Sequence, residues 1–340
     1  MKKITFFTTL TVILMLAASC GQPSKTTPTV YAVGETRSDD GYSTSTAFLW
    51  IDGTPTTFTD KSSLHSVFGS KEGIVYIAGY EDLHASLWKI ERGKTSQIVL
   101  SDTHTLGLSG FATEQGEVYV VGNDYEDNNV AACWKVSGTK VTKMPLALRG
   151  GGWDSEAWSV WVAPDGKVYV AGVEGDFVED DCKAVLWIDG EKQILPDQKL
   201  SAYAYAVYGN SQGDIYVAGR LSSSESQAVL WKNGVIQYLA KEAEESWATA
   251  LFVTSNGDVY VGGEVVEDDS HSQAVIWKNG IKEYLPEGGD VKAIYVTREG
   301  DVYVAGTAYA PASGLWKNGV LQPVTQNSRR GAYLTGVFVK

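Results

Sequence analysis

The chain of 340 residues is organised by a repeat of about 45 residues. Each copy contains an apolar strand of the Val-Tyr-Val-Ala-Gly type, and aligning these strands places one tyrosine per copy in register, at spacings of about 43 to 50 residues. The aligned tyrosines are Tyr31, Tyr76, Tyr119, Tyr169, Tyr216, Tyr260 and Tyr303. This period is typical of propellers and solenoids, in which one repeat cannot bury its own hydrophobic face. The repeat therefore constrains the fold more than the length, which alone would allow two domains.

A second predicted strand in each copy is centred on a tryptophan. These residues are Trp50, Trp88, Trp134, Trp187, Trp231, Trp277 and Trp316. Lys-Asn-Gly follows the tryptophan in three copies and Ile-Asp-Gly in two. Asn-Gly and Asp-Gly favour tight hairpins, so a third short strand is expected after each turn, as at 235–239.

A fourth predicted strand precedes each tyrosine strand. It carries a small residue and, two positions later, an aromatic one; the pairs are Ser66 and Phe68, Ser109 and Phe111, Ser159 and Trp161, Ala206 and Tyr208, Ala250 and Phe252, and Ala293 and Tyr295. Because side chains alternate along a strand, both members of a pair lie on one face, and small residues fit where strands converge on an axis. Four antiparallel strands per repeat predict a propeller blade.

The two ends of the chain complete each other. Residues 336–339 repeat the inner strand with no tyrosine strand after it, whereas the first tyrosine strand, at Val30, has no inner strand before it. We therefore predict an all-β fold over residues 30–340: one closed seven-bladed β-propeller of four-stranded antiparallel blades, with the inner strand of one blade supplied by the C-terminus. Closure would leave no open sheet edge.

The N-terminal segment has the pattern of a signal peptide, predicted over residues 1–19. Lys2 and Lys3 precede an apolar stretch, and small residues precede Cys20. This end resembles the lipobox of bacterial lipoproteins, which implies an acylated Cys20, followed to residue 29 by a flexible tether. The alternative is an ordinary signal peptide with a chance cysteine. The resemblance implies an outer-membrane lipoprotein of the cell envelope, facing the periplasm or the surface, with membrane contact only through its lipid.

The tryptophan segments also carry a family resemblance. Ala-Val-Leu-Trp-Lys-Asn-Gly at 228–234 and Ala-Phe-Leu-Trp-Ile-Asp-Gly at 47–53 resemble the HAF-type repeats of bacterial extracellular proteins. The mature chain as a whole is similar to β-propeller lipoproteins of Bacteroides type. The resemblance implies location and architecture, and it brings no catalytic motif.

Charge and cysteines restrict the partners and the covalent chemistry. With 41 acidic and 28 basic side chains the formal charge is -13, which repels phosphate backbones, so no nucleic acid partner is expected. Cys133 occupies a position that is otherwise apolar in the repeats, and Cys182 is expected in a loop. We expect Cys133 to be buried; a disulfide is the alternative in an oxidising compartment.

One end of the predicted blades carries all the variable loops. They join each tyrosine strand to its tryptophan strand, and each short third strand to the next inner strand. Binding usually resides in such loops on a rigid scaffold. Three loops are acidic, with Asp124, Glu126 and Asp127; with Glu174, Asp176, Glu179, Asp180 and Asp181; and with Glu264, Glu267, Asp268 and Asp269. Asp124, Glu126 and Asn128 form a candidate Ca²⁺ site. A solvated acidic surface is the alternative, and no other cofactor or metal is expected.

Aromatic residues outside the repeat pattern form a candidate ligand-binding site at the same end. They are Trp153, Trp158, Tyr203, Tyr205, Trp247 and Tyr333. Exposed rings stack on sugars or anchor a protein, whereas the alternative is packing of loops over the blades. The position before the small inner-strand residue also varies, through His65, Leu108, Trp158, Tyr205, Thr249, Lys292 and Thr335, as expected where function overrides packing. His65, Glu156 and Lys292 complete the candidate site.

No catalytic motif is present in the sequence, and no residue is assigned as catalytic. The four histidines lack metal-ligand spacing, and the one Gly-x-Ser-x-Gly match, at 209–213, lies in a predicted turn between two strands, so it is not a nucleophile elbow. Two hypotheses follow. The first is a non-enzymatic, monomeric propeller that binds or scaffolds a glycan or an envelope protein. The alternative is a carbohydrate-active hydrolase or lyase at the channel mouth, with Asp154, Glu156, His65 and Lys292 as candidates.

Overall fold

The computed structural model describes residues 28–36, 46–59, 61–126, 129–148, 154–179, 181–196, 201–222, 226–240, 245–266, 271–309, 313–324 and 331–340. In these ranges the chain forms strands and turns, with no helix. The strands are of four kinds, which we name inner, second, third and outer after their order within a sheet.

The inner strands are β4 (Ser62–Gly69), β8 (Thr105–Ala112), β12 (Asp154–Val162), β16 (Ser201–Gly209), β20 (Glu245–Val253), β24 (Gly288–Val296) and β28 (Ala332–Val339). The second strands are β1 (Val30–Thr36), β5 (Val75–Glu81), β9 (Glu117–Asp124), β13 (Val168–Asp176), β17 (Ile215–Ser222), β21 (Val259–Val266) and β25 (Val302–Ala308). The third strands are β2 (Ala47–Ile51), β6 (His84–Glu91), β10 (Val130–Ser137), β14 (Asp181–Ile188), β18 (Gln227–Lys232), β22 (Ser272–Lys278) and β26 (Gly314–Lys317). The outer strands are β3 (Thr54–Thr57), β7 (Lys94–Val99), β11 (Lys140–Met144), β15 (Glu191–Ile194), β19 (Val235–Tyr238), β23 (Ile281–Tyr284) and β27 (Val320–Leu321).

These strands form antiparallel sheets with the arrangement of a β-propeller. Five sheets have four strands each, in sequence order from inner to outer: β4 to β7, β8 to β11, β12 to β15, β16 to β19 and β20 to β23. The remaining strands form one eight-stranded sheet, in which β24 to β27 and the set β28, β1, β2, β3 are joined by the pair Thr307 and Tyr333. Strand β28 pairs with β1 from Val339 opposite Val30 to Ala332 opposite Thr36, so the C-terminal strand completes the N-terminal set.

The hydrophobic core lies between neighbouring sets of strands. It consists of seven clusters, each built from two adjacent sets and centred on a repeat tryptophan. Trp187 and Trp231 are fully buried. Their indole N–H groups donate to carbonyl oxygens of the preceding connection, to Ala147 at 2.8 Å and to Pro196 at 3.2 Å. These two tryptophans, and Trp316 through the Pro286 carbonyl at 3.0 Å, thus tether their sets of strands to the connection before them, whereas the indole N–H groups of Trp50 and Trp277 have no partner among the described residues.

The side chains at the predicted aromatic position of the inner strands pack ring against ring, from one set of strands to the next. Ring centroids are 5.1 Å apart for Phe338 and Tyr295, 5.4 Å for Tyr295 and Phe252, and 5.1 Å for Phe252 and Tyr208. Trp161 continues the series at 6.2 Å from Tyr208. These side chains are core residues, as the repeat predicts.

The Lys-Asn-Gly motif forms the turn between third and outer strands. Asn279 has φ 51° and Gly280 φ 83°, the left-handed pair that such hairpins need. The Asn279 side chain also accepts a hydrogen bond from the backbone N–H of Val259 at 2.8 Å and donates to Asp258 at 2.9 Å. It therefore ties the hairpin to the start of the second strand. Asn233 and Asn318 make the same two contacts.

Every inner strand contains a β-bulge at its variable position. The bulged residues are His65, Leu108, Trp158, Tyr205, Thr249, Lys292 and Thr335. Opposite each bulge lies the glycine of the Val-Ala-Gly segment; at Gly219, an added Cβ would overlap the carbonyl oxygen of Tyr203. A bulge leaves one residue unpaired and redirects its side chain. The repeated glycine is therefore explained by the bulge, which frees one side chain per inner strand.

Both described cysteines are buried, and neither forms a disulfide among the described residues. Cys133 lies in a core cluster, as expected, and burial raises the pKa of its thiol to about 12. Cys182 lies in strand β14 rather than in a loop, because the preceding acidic segment continues β13 and β14 into a longer hairpin.

Candidate ligand-binding site

Some of the bulged side chains form hydrogen bonds between inner strands, and others carry partly buried aromatic rings. Thr335 donates to the carbonyl of Leu64 at 2.6 Å, and Thr249 donates to the carbonyl of Val291, so both tie an inner strand to its neighbour. Trp158 and Tyr205 instead carry large rings, each half-buried. The bulge thus serves packing at two positions and presents aromatic surface at two others.

Four aromatic residues gather where the inner strands begin, and we call them the aromatic cluster: Trp158, Tyr203, Tyr205 and Trp247. The ring centroids of Trp158 and Tyr205 are 4.8 Å apart and those of Trp158 and Tyr203 6.2 Å apart, both pairs stacked. The Tyr203 and Tyr205 rings are nearly parallel, with an interplanar angle of 7°. All four residues are half-buried, so each keeps part of its surface accessible.

Arg220 from β17 connects Trp247 to the rest of the cluster. Its guanidinium carbon lies 4.4 Å from the Tyr203 ring centroid and 6.0 Å from that of Trp247. Its Nη1 donates to Ser226 Oγ at 3.1 Å. The Nε atom is buried without a hydrogen-bond partner among the described residues.

Sequence reasoning missed Arg220, although a signal existed. It stands four residues after a repeat tyrosine, where the seven copies have Glu35, Tyr80, Asn123, Val173, Arg220, Glu264 and Thr307. This position lies on the second strand beside the bulge. Its variability in an otherwise regular strand marks it as part of the site.

Burial and nearby charges set the pKa of the Tyr205 hydroxyl. Burial raises the pKa of Tyr205 to about 12; a hydrogen bond and the charge of Arg220 oppose the rise, whereas Glu156 and Glu264 add to it. The hydroxyl therefore stays protonated at neutral pH and remains a donor. The Glu156 carboxylate accepts from Trp158 Nε1 at 2.9 Å and from Asn129 Nδ2 at 3.4 Å, so it borders the cluster in a fixed position.

A second polar group lies on the next strands. Lys292, 45% exposed in its side chain, forms an ion pair with Asp290 at 2.9 Å. Asp290 also accepts from the backbone N–H of Thr307 at 2.9 Å. Burial raises the pKa of Glu264, and the negative charge of Asp290 adds to this while Lys292 opposes it.

His65 forms a separate hydrogen-bonded chain. Its ring stacks on Tyr80 at 5.6 Å, and Nε2 lies 3.3 Å from Ser63 Oγ. The Ser63 hydroxyl donates to Glu35, so Nε2 of His65 must carry the proton of its hydrogen bond to Ser63. Burial lowers the pKa of His65, and the charge of Glu35 opposes this. His65 is therefore neutral at pH 7.

The structure brings together only part of the predicted site. Glu156, Trp158, Tyr203, Tyr205 and Trp247 lie together. His65, Lys292 and Tyr333 lie on the inner strands of other sets; Tyr333 is 46% exposed and in register with Glu35. Trp153, Asn128 and Cys20 lie outside the described residues.

Two carboxylates of the acidic loops are buried and paired rather than solvated. Asp124 forms an ion pair with Lys143 at 2.6 Å and accepts from the backbone N–H of Glu126 at 3.1 Å. Glu174, with a side chain only 4% exposed, pairs with Lys192 at 2.7 Å. Asp124 therefore already has a cationic partner at the candidate Ca²⁺ position. The described ranges contain no group of three metal-ligating side chains.

A cavity of about 510 Å³ lies at the opposite end of the inner strands, among the short turns. Phe111, Trp161 and Tyr208 line it, together with turn residues such as Asn210 and Arg298. The sequence did not indicate it, because the turns that border it are the most regular part of the repeat. Among the described residues, no helix is long and apolar enough to cross a membrane.

Comparison with known proteins supports the fold alone. No family model and no curated protein matches the chain. Its fold is similar to that of a protein from Lactobacillus plantarum (TM-score 0.54, 14% identity, 92% of this chain and 99% of that one). It is also similar to an ulvan-degrading polysaccharide lyase bound to an oligosaccharide (0.52, 9%, 90% and 91%).

A third similar structure is the acylaminoacyl peptidase of Pyrococcus horikoshii (TM-score 0.54, 15% identity, 88% of this chain). The chain spans 52% of the length of that peptidase, and 65% of a TolB chain from Acinetobacter baumannii that it also matches. At these identities the comparisons place the chain among β-propeller-like structures and say nothing about ligand or activity.

Proposed function

We propose that this protein is a non-enzymatic glycan-binding propeller of the cell envelope, and that the aromatic cluster holds the sugar. The observation that carries the proposal is the placement of Trp158 and Tyr205 at two successive bulges, where their rings stack at 4.8 Å and both residues are only partly buried. The bulge positions of the other sets do not carry such rings.

The chemistry of the cluster suits a carbohydrate. The C–H faces of a pyranose are apolar and pack against aromatic rings, whereas its hydroxyls need donors and acceptors at the edge. Glu156 supplies a fixed acceptor, the protonated Tyr205 hydroxyl a donor, and Arg220 further donors. A protein partner would need a larger apolar surface than these half-buried rings offer.

The architecture in this proposal is one closed, monomeric seven-bladed propeller over residues 30–340. The pairing of β28 with β1 and the chain of core clusters between neighbouring sets support it. Residues 1–19 act as signal peptide, Cys20 carries the lipid, and residues 20–29 form the tether. The protein would then contact the outer membrane only through that lipid, on its periplasmic or surface side.

The test is a glycan array followed by titration calorimetry on the purified protein. Trp158→Ala should weaken binding of the best ligand at least tenfold, the effect of losing an anchor worth more than about 1.4 kcal/mol. Tyr284→Ala, which removes a 43% exposed ring from an outer strand, is the matched control and should bind like the wild type. Absence of any glycan ligand, or unchanged binding by Trp158→Ala, contradicts the proposal.

One observation favours a second candidate function, a carbohydrate-active hydrolase or lyase. The pKa of Glu264 is raised by burial, and Asp290, whose charge adds to the rise, is paired with Lys292 and accepts from a backbone N–H; a carboxyl group with a raised pKa beside a second carboxylate is a usual arrangement in such enzymes. In that case Glu264→Gln should abolish turnover of a bound oligosaccharide and leave its affinity unchanged. Absence of product from the wild-type protein with every array ligand would exclude this candidate.

A further inference from the structure

We infer that the ligand of the aromatic cluster carries an acidic group, a carboxylate or a sulfate ester, and that Arg220 binds it. The inference rests on the proposed function and specifies its ligand class. Its starting point is that the Arg220 side chain, a cation, has no carboxylate partner among the described residues. Lysines along the described chain pair with carboxylates, for example Lys143 with Asp124 and Lys192 with Glu174. Arg220, in a chain with 41 acidic residues, has no ion pair with any described carboxylate.

Among the described residues, the groups that hold the Arg220 guanidinium in place are all neutral. Tyr203 stacks on it at 4.4 Å, Ser226 accepts from Nη1 at 3.1 Å, and the Tyr205 hydroxyl shares a hydrogen bond with it. A guanidinium has five N–H donors. Its Nε–H is buried with no acceptor among the described residues. Part of its hydrogen-bonding capacity is therefore fixed in position and unused.

A partly buried charge with no anion beside it among the described residues is costly. The two Nη groups of a guanidinium form a planar fork that matches the two oxygens of a carboxylate or sulfate. A bound acidic group would accept from this fork and neutralise the charge. The guanidinium is already oriented by its stacking, so little ordering entropy is lost on binding.

The surroundings indicate what carries that acidic group. The stacked rings of Trp158 and Tyr205 adjoin Arg220 through Tyr203, so the acidic group must belong to a ligand with a flat apolar face. Glu156 borders the same cluster, and the net charge of -13 repels polyanions such as nucleic acid. A sugar with a single acidic substituent, flanked by neutral hydroxyls that Glu156 can accept from, meets both conditions.

The experiment is titration calorimetry of the full protein with three probes of equal length: a neutral oligosaccharide, the same oligosaccharide carrying one uronic acid residue, and the same oligosaccharide carrying one sulfate ester. We expect the wild type to prefer one of the two acidic probes, and the preferred probe identifies the group as carboxylate or sulfate. Arg220→Gln should weaken binding of that probe roughly tenfold to a hundredfold, the loss of a bidentate charge-assisted pair, and should weaken the neutral probe much less, because that probe loses only hydrogen bonds to its hydroxyls.

Two further variants control for charge and folding. Arg298→Gln removes the same charge from an exposed residue at the turn end and should leave all affinities unchanged. Arg220→Lys keeps the charge and the apolar stem, so it should fold even if Arg220→Gln does not, yet lose most of the preference because it lacks the fork.

The outcomes separate the inference from the proposed function. Equal affinity of the wild type for neutral and acidic probes, or unchanged acidic binding by both Arg220 variants, overturns the inference; if Trp158→Ala still abolishes binding, the proposed function stands. If no probe binds and the glycan array is also negative, both fail.

Discussion

The repeated glycine opposite each bulge predicts a large effect for the substitution Gly219→Ala. In the native structure an alanine Cβ at this position overlaps the carbonyl oxygen of Tyr203 and lies 3.0 Å from the Trp231 ring. The first obstacle is backbone and cannot rotate away, so the bulge at Tyr205 must shift. Overpacking typically costs 1–3 kcal/mol, and we expect about 3 kcal/mol here because backbone must move. In a chain of this size that lowers Tm by roughly 5 °C or more.

The matched control is Gly289→Ala. Gly289 is also buried in an inner strand, but a Cβ there would make only ordinary contacts, the nearest atom being the Thr307 carbonyl oxygen at 3.6 Å. It should be neutral or stabilising by up to about 1 kcal/mol, because alanine restricts the unfolded chain. Urea unfolding followed by near-ultraviolet circular dichroism measures both. Equal midpoints for the two variants would refute the explanation of the glycine, and with it the link between the repeat motif and the bulge.

Three further substitutions test other parts of the structure. His65→Gln should flatten the pH dependence of Tm. The pKa of His65 in the folded state lies below 6.5, so its contribution to folding stability is complete above that pH and is lost as the pH falls, when the unfolded chain takes up the proton. Unchanged slopes of Tm between about pH 5 and 7 would contradict this. Lys192→Met should lower the free energy of unfolding in urea by roughly 3 kcal/mol, because it leaves Glu174 buried without its lysine partner. The control Lys317→Met removes an ion pair in which both side chains are 36% exposed, and it should lower that free energy by less than about 1 kcal/mol. Similar losses for the two variants would show that burial of the ion pair does not matter. Asn279→Ala should cost about 1–2 kcal/mol, since it removes two hydrogen bonds at a residue with φ 51°, and hydrogen exchange at the start of the second strand should accelerate.

The repeat determines most of what the sequence reveals about the fold. The tyrosine, tryptophan and aromatic positions predict the four kinds of strand, because each occupies a fixed place in the core. The pairing of β28 with β1 follows from a strand left over at each end of the chain. The Asn-Gly turns are equally local, since the left-handed φ of Asn279 is a property of that dipeptide.

The candidate site is less visible because it depends on exceptions to the repeat. Trp158 and Tyr205 stand out in the sequence as irregular aromatics, but the bulge that frees them is shown only by strand register. Arg220 was missed because a single arginine in a second strand resembles a solvated side chain until its ring contacts are known. Asp124 and Glu174 look like loop carboxylates in sequence, yet outer-strand lysines pair with both. Contacts between distant strands decide each of these cases.

A crystal structure of the protein with its tightest array ligand tests the central proposal most directly. We predict density for a sugar ring on the accessible faces of Trp158 and Tyr205, with an acidic substituent within about 3 Å of the Arg220 guanidinium. Ligand density at another place would contradict the assignment of the aromatic cluster as the binding site. One such place is the cavity lined by Phe111, Trp161 and Tyr208, at the opposite end of the inner strands.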